Sequence, residues 1–306
     1  MQLGMIGLGK MGGAMAERLL NAGHKLVVFD PSKQAQQSVV SKGAAGATSI
    51  SDLANRLGTP RSIWVMVPAG DATEETISEL GDSLSPGDIV IDGGNSYYKD
   101  SMRRANALKD RGIFLLDAGT SGGIWGLKEG YSLMVGGERA AFDHLAPIFA
   151  ALAPQTDEGY GYVGPSGAGH FVKMVHNGIE YGIMQAYGEG FQLMRAKEEF
   201  SLDLHSIAEI WRRGSVVRSW LLDLVALALK EDPKLDKIQG YVEDSGEGRW
   251  TAQEAIDLGL PLPVISQSLQ VRFRSRQTDP FGEKLLAALR NQFGGHSVKP
   301  ATDKHN

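Results

Sequence analysis

Hydrophobic and polar positions along the chain follow two textures. In the first half, short apolar runs alternate with stretches whose apolar residues recur at helical spacing. Strands are predicted at Leu3–Ile6, Lys25–Phe29, Arg61–Val67, Asp88–Ile91, Ile113–Leu116 and Tyr131–Val135. Helices are predicted over Met11–Ala22, Thr73–Leu80, Ser101–Arg111 and Arg139–Leu152. Strands alternating with helices imply a parallel, doubly wound sheet. Their near-continuous apolar character suits a sheet covered on both faces.

The texture changes at the Gly- and Pro-rich stretch from Gly159 to Pro165, where a domain boundary is expected. Beyond it strand signals nearly vanish. A long helical pattern covers Gly167–Lys197, and others cover Leu204–Trp211, Ser219–Lys230, Trp250–Leu258, Pro263–Ser275 and Phe281–Phe293. His296–Asn306 reads as a tail. The expected fold class is therefore α/β followed by all-α, with domains at residues 1–164 and 165–306. A length of 306 residues agrees with two domains.

Composition narrows the chemistry. The formal net charge is -5, so no bulk basic excess draws the chain to nucleic acid or an anionic membrane. There is no cysteine, which excludes disulfides, thiolate catalysis and Cys-ligated zinc. The most apolar run, Leu221–Leu229, is interrupted by Asp223 and falls far short of the roughly 20 residues of a membrane helix. No signal peptide is recognised at the start. A soluble, cytoplasmic protein is expected, with no metal ligand cluster.

Gly7-Leu8-Gly9-Lys10-Met11-Gly12 follows the first strand and opens the first helix. That is where a dinucleotide-binding, Rossmann-type loop works. Gly7 permits the turn, Gly9 lets backbone N–H groups approach a pyrophosphate, and Gly12 lets the helix pack on the sheet. The helix start offers free N–H groups and partial positive charge to phosphate. Asp30 ends the second strand, at the place of a carboxylate that binds the ribose hydroxyls and repels a 2′-phosphate. Pro31 and Ser32 follow it rather than Arg, so NAD is expected. NADP stays as the weaker alternative because Lys33 is near. The remaining expected cofactor contacts are Val67, Pro68 and Asn95.

A second constellation lies on the long helix. Lys173, His176, Asn177 and Glu180 fall at i, i+3, i+4 and i+7 and share one helical face. Lys173 and Glu180 are about 10 Å apart along the axis. Among apolar and small neighbours, such a stripe seats a polar substrate between a base and an acid; the bland alternative is a solvated face. His170 lies off the stripe and is read as structural. Two loops beyond strand ends complete the constellation: Asp92-Gly93-Gly94-Asn95, and Thr120-Ser121-Gly122-Gly123. Asn95 and Ser121 offer hydrogen bonds there, and Gly122 and Gly123 offer backbone N–H groups to a carboxylate.

With these motifs the sequence resembles the decarboxylating 6-phosphogluconate dehydrogenases, in a short-chain, NAD-type form, within the β-hydroxyacid dehydrogenase superfamily. The resemblance covers most of the chain. It is carried by GLGKMG at 7–12, DGGN at 92–95, TSGG at 120–123, FVKMVHNGIEYG at 171–182 and the Arg290–His296 segment. It implies Lys173 as general base and then as proton donor to a ketone oxygen, a role that desolvation of a lysine assists. It implies Glu180 as the acid that protonates an enediol. It further implies His176 and Asn177 on hydroxyls, and Ser121, Gly122 and Gly123 on the carboxylate. Tyr181, Arg290 and His296 are implied on the phosphate. The implied partner is a phosphorylated sugar acid. In this family the tail enters a neighbouring subunit's site, which implies a homodimer or homotetramer and a helical half serving substrate binding and oligomerisation.

The chain departs from the family's long form in three respects. It is much shorter. Asp30-Pro31 replaces an Arg-bearing cofactor loop, in keeping with NAD. Ser245-Gly246-Glu247-Gly248-Arg249-Trp250 replaces a K-G-T-G-K-W pattern, so part of the usual phosphate contacts is missing and Arg249 is the expected compensation. Two other readings stand beside the main one. A non-decarboxylating β-hydroxyacid dehydrogenase or reductase would need Lys173 but not Glu180. A non-catalytic NAD-binding sensor would need neither.

Overall fold

The structure is a computed structural model and describes residues 1–300. The chain divides into two compact units, Met1–Gly178 and Ile179–Asn306.

The first unit holds a single eight-stranded sheet. In chain order its elements are β1 (Gln2–Ile6), α1 (Lys10–Asn21), β2 (Lys25–Phe29), α2 (Lys33–Val40), β3 (Ala45–Gly46), α3 (Ile50–Asn55), β4 (Ser62–Val65), α4 (Asp71–Ser83), β5 (Ile89–Asp92), α5 (Tyr98–Lys109), β6 (Phe114–Ser121), α6 (Gly126–Glu129), β7 (Ser132–Gly136), α7 (Arg139–Leu152) and β8 (Tyr160–Gly164). The strand order is β3-β2-β1-β4-β5-β6-β7-β8. The order reverses between β1 and β4, and the crevice beyond their carboxyl ends is the place for a ligand in such a sheet.

Alternate residues of each strand feed opposite faces. Ile89 and Ile91 of β5 join Leu3, Met5, Val28 and Trp64 in one core layer. Val90 joins Ile6, Val27, Ile63 and Val65 in the other. Both faces are therefore apolar, which is why the strands read as continuous runs. Trp64 packs edge-on against Phe149 of α7, ring centroids 6.0 Å apart. Each such fully buried large side chain contributes about 1.5–3 kcal/mol.

The sheet departs from the sequence reading in two ways. β7 pairs antiparallel with β6, while β8 pairs parallel with β7. The β6–β7 connection is too short to carry the chain back across the sheet, so the strand direction reverses. The stretch read as a boundary is itself strand β8. Its Tyr160-Gly161-Tyr162-Val163-Gly164 has no apolar run, and it is held by backbone pairing and by Tyr160 and Tyr162 rings against Phe142. The elements α2, β3 and α3 also escaped the periodicity. α2 is mostly polar and β3 has two residues, too few to show a period.

The strands end at Gly164, and the two compact units part inside the following helix, at Gly178. That helix, α8, runs unbroken over Ala168–Ala196. The second unit continues with α9 (Leu204–Trp211), α10 (Trp220–Glu231), α11 (Glu247–Asp257), α12 (Pro263–Ser275) and α13 (Phe281–Gly294). Its local core is Phe191, Ala208, Leu222, Ala226 and Leu229, with Phe191 edge-on to Trp211. Asp203 caps α9 and Ser219 caps α10 through side-chain oxygens, as those residue types do. Among the described residues no helix is long and apolar enough to cross a membrane.

Candidate active site

The cofactor loop is built as its motif requires. Gly7 has φ +89°, and a β-carbon on Gly12 would stand 2.0 Å from the Gly7 carbonyl oxygen. Only glycine lets α1 close on the strand end here. Nothing stands within 4 Å of a β-carbon built on Gly9, so the space before α1 is open. No side chain caps α1, which leaves its first amides for a ligand. Lys10 is exposed, Met11 half-buried and Leu8 buried at this turn. These residues fit a pyrophosphate.

Asp30 closes the same site. Its carboxylate accepts the Leu8 N–H and the Ser32 N–H, each at 2.7 Å. The two bonds hold the carboxylate beside the glycine loop and leave lone pairs for further donors. The turns after β1, β4 and β5 converge. A β-carbon on Gly7 would approach the Val67 nitrogen to 3.1 Å, and one on Gly94 the Val67 oxygen to 3.2 Å. Pro68, exposed, accepts the Thr73 hydroxyl at 2.9 Å. Asn95 is exposed on the last of these turns. Below it, buried Asp92 accepts the Gly94 N–H at 3.1 Å and the Ser96 hydroxyl at 2.7 Å. Arg104, 4% exposed, pairs with the same Asp92 carboxylate.

The start of α8 lies directly on the sheet. A β-carbon on Gly169 would stand 2.1 Å from the Asp117 carbonyl oxygen, and one on Gly119 would stand 2.4 Å from Lys173 Cβ. Helix and strand therefore touch through backbone, and Lys173 is seated over β6 at 7% exposure. Its amine donates to Asn177 Oδ1 at 2.7 Å, and the same oxygen is 3.1 Å from His176 Nδ1. Lys173, His176 and Asn177 of the stripe thus form a hydrogen-bonded cluster. Two residues beyond Gly119, β6 ends at Ser121, and Gly122 turns the chain with φ +135°. Gly123 is exposed, with φ +51°. His170 is buried at 2% and shares a 2.7 Å hydrogen bond with Ser101, in keeping with a structural role.

Further along α8, in the second unit, stand Glu180 and Tyr181. Tyr181 is buried at 6% and is enclosed by the 245–248 loop. The Ser245 N–H donates to its hydroxyl at 3.4 Å, and a β-carbon on Gly248 would strike its ring at 2.5 Å. The Arg272 guanidinium lies 3.4 Å over the same ring. The ring that Arg272 covers is 91 positions away in the chain, so local sequence does not show this contact. Arg249, the expected compensation for lost phosphate contacts, is instead committed to Asp244 at 2.8 Å and 3.0 Å. Those hydrogen bonds, with Arg276, hold the Asp244 carboxyl below the usual range against its burial. Glu247 is 2% exposed and accepts the Ser245 hydroxyl at 2.6 Å.

Arg290 and His296 lie exposed at the end of α13. Within the described residues neither makes a hydrogen bond or ion pair to Tyr181, Arg272 or the 244–249 loop. The His296 carbonyl accepts the Asn291 side-chain amide at 2.8 Å, which folds the tail back on its own helix.

Residues 2–164 match the family described as the NAD binding domain of 6-phosphogluconate dehydrogenase, and residues 169–305 match the 6-phosphogluconate dehydrogenase C-terminal domain. A 6-phosphogluconate dehydrogenase of Haloferax volcanii, NAD(+)-dependent and decarboxylating, is 48% identical over 304 residues, 99% of this chain and 100% of that one. An NADP(+)-dependent, decarboxylating relative from Bacillus subtilis is 38% identical over 99% of this chain and 66% of its own length. The solved 6-phosphogluconate dehydrogenase of Plasmodium falciparum superposes with TM-score 0.83 at 30% identity, over 100% of this chain and 67% of that one. Matched in both halves and along its full length, the chain belongs to the 6-phosphogluconate dehydrogenase family.

Proposed function

We propose that this chain oxidises and decarboxylates 6-phosphogluconate to ribulose 5-phosphate and CO2 with reduction of NAD. The observation that carries the reading is Lys173: buried, held by Asn177 at 2.7 Å, and seated over Gly119 two residues before the Ser121 turn. A proton-transfer group needs this kind of fixed placement within hydrogen-bond reach of its substrate.

Lys173 takes the proton of the C3 hydroxyl. Bound NAD supplies the acceptor for the hydride that leaves C3. The protonated Lys173 then donates to the new ketone oxygen and draws electrons as the carboxylate departs as CO2. Glu180, two helical turns on, gives a proton to C1 of the five-carbon enediol. Asn177, His176 and Asn95 orient hydroxyls. Ser121 and the amides of Gly122 and Gly123 hold the carboxylate before it leaves.

Tyr181 binds the phosphate with Arg290 and His296 of the partner subunit. Arg272 joins that group, supported by its place on the Tyr181 ring, and takes over the role expected of Arg249. A guanidinium suits phosphate through its several donors. A homodimeric or homotetrameric assembly in the cytoplasm belongs to the same proposal. The assembly is supported by α13, which leaves Phe281 76%, Leu286 62% and Phe293 77% exposed. So does the division of labour, with residues 1–164 on the cofactor and 165–306 on the substrate.

The test follows reduction of NAD, and separately of NADP, by purified protein with 6-phosphogluconate, with CO2 measured in parallel. Equal NADH and CO2 are expected, with NAD preferred. Reduction without CO2 would leave a simple hydroxyacid dehydrogenase. Binding of NAD without reduction would leave a sensor.

A further inference from the structure

Asp117 stands in the middle of β6 and is 1% exposed. No role in binding or proton transfer falls to it. Its two carboxylate oxygens accept two backbone amides from the start of α8: Gly167 N–H at 2.7 Å and His170 N–H at 2.9 Å. The first amides of a helix have no partner within the helix. They are met here by a carboxylate from a strand about 50 positions earlier in the chain. Negative charge at that end is also favoured by the helix dipole. Burial holds the Asp117 carboxyl above the usual carboxylate range, although neighbouring His170 and the two amides pull it down.

The register of these contacts matters. Residues 117 and 119 of one strand face the same side, about 6.6 Å apart. Asp117 meets Gly167 and His170, and Gly119 meets Lys173 three residues after His170. That step is about 4.5 Å along the helix axis. Strand and helix therefore run together, touching at two successive points. One contact would leave the helix free to slide or turn, whereas two fix it. A further tie comes from α5, where Ser101 holds the His170 ring at 2.7 Å.

We infer that Asp117 is a positioning residue for the reaction: by capping α8 from the sheet, it fixes the axial place at which Lys173 presents its amine. This rests on Lys173 being the base. A shift of about 1 Å in such a group costs on the order of 100-fold in rate.

The test compares Asp117→Asn with Lys173→Met in the full chain. An Asn side chain has a single acceptor atom and a donor in place of the second. Asp117→Asn is expected to lower kcat by about 10- to 100-fold, with KM for 6-phosphogluconate and Kd for NAD moving by less than about threefold. Lys173→Met is expected to abolish turnover and leave NAD binding intact. If Lys173→Met keeps its turnover, the assignment of the base fails and this inference with it. If Lys173→Met is inactive while Asp117→Asn keeps a normal kcat, the inference fails alone. A parallel loss of kcat, substrate affinity and NAD affinity in Asp117→Asn would mean a general structural role and overturn it. Should Asp117→Asn not fold, amide exchange on the unaltered enzyme decides. Gly167 and His170 amides as protected as the interior of α8 support the inference, and exchange at the rate of an uncapped helix end overturns it.

Discussion

Gly119 lies so close beneath Lys173 that a β-carbon added to it would stand 2.4 Å from the Lys173 β-carbon. The same atom would meet the Gly169 carbonyl oxygen at 2.7 Å, so backbone as well as side chain would have to move. Gly119→Ala is expected to cost about 1–3 kcal/mol of stability, as overpacking does. It is expected to lower kcat by on the order of 100-fold, because the lysine is displaced from its substrate. Thermal unfolding and steady-state kinetics read the two effects separately. A normal kcat would show that α8 yields without moving the amine.

Glu180 follows Lys173 by seven residues in the sequence of α8. Gln in its place keeps size and polarity but holds no transferable proton. Glu180→Gln is expected to lower CO2-linked turnover by about 10²- to 10⁴-fold, the usual share of a general acid. NADH and CO2 followed together provide the measurement. Unchanged formation of both would remove Glu180 from proton transfer.

Asp30 accepts two backbone amides at 2.7 Å at the edge of the glycine loop. A charged acceptor of this kind is worth about 1.5–3 kcal/mol per hydrogen bond. Asp30→Ala is expected to weaken NAD binding by about tenfold or more and to narrow the preference over NADP, since the repulsion of a 2′-phosphate goes with the carboxylate. Titration with both cofactors tests this. A preference that stays as it was would locate discrimination elsewhere in the loop.

Glu74 of α4 accepts two hydrogen bonds from Arg103 and one from Arg104, all at 2.7 Å. The Arg103 hydrogen bonds, with those of Arg104 and both charges, pull its carboxyl from 4.5 down to about 2 against partial burial. The folded value is depressed, so the stabilisation is complete above the unfolded value of 4.5 and is lost as pH falls toward 2. The difference in urea midpoint between the parent and Glu74→Gln is therefore expected to be constant near neutral pH and to shrink below about 4.5. A difference that persists unchanged to the lowest pH at which the protein folds would mean that packing, not the ion pair, accounts for it.

The repeating pattern of apolar residues carried much of the fold. Lys25–Phe29, Arg139–Leu152, Leu204–Trp211 and Pro263–Ser275 occur as elements with the bounds their periodicity predicts. That is physically reasonable: a residue's choice of face is a local matter, set by helix or strand geometry and by the need to bury apolar surface. The glycine loop and the Lys173 stripe were legible for the same reason, since each lies within one or two adjacent elements. β8 was not, because its strand character comes from pairing with β7 and from distant aromatic rings rather than from its own composition.

Contacts between distant positions belong to packing. Arg272 reaches Tyr181, Arg249 turns to Asp244, and Asp117 caps a helix about 50 residues later. Residue type and spacing put Lys173 on a polar helical stripe, but they could not say what holds it. Its placement depends on how closely two backbones approach, and that distance is set by glycines at 119 and 169 meeting across the α8–β6 contact. Such an approach is a property of two surfaces brought together. No local pattern encodes it, because neither surface exists until the chain has folded.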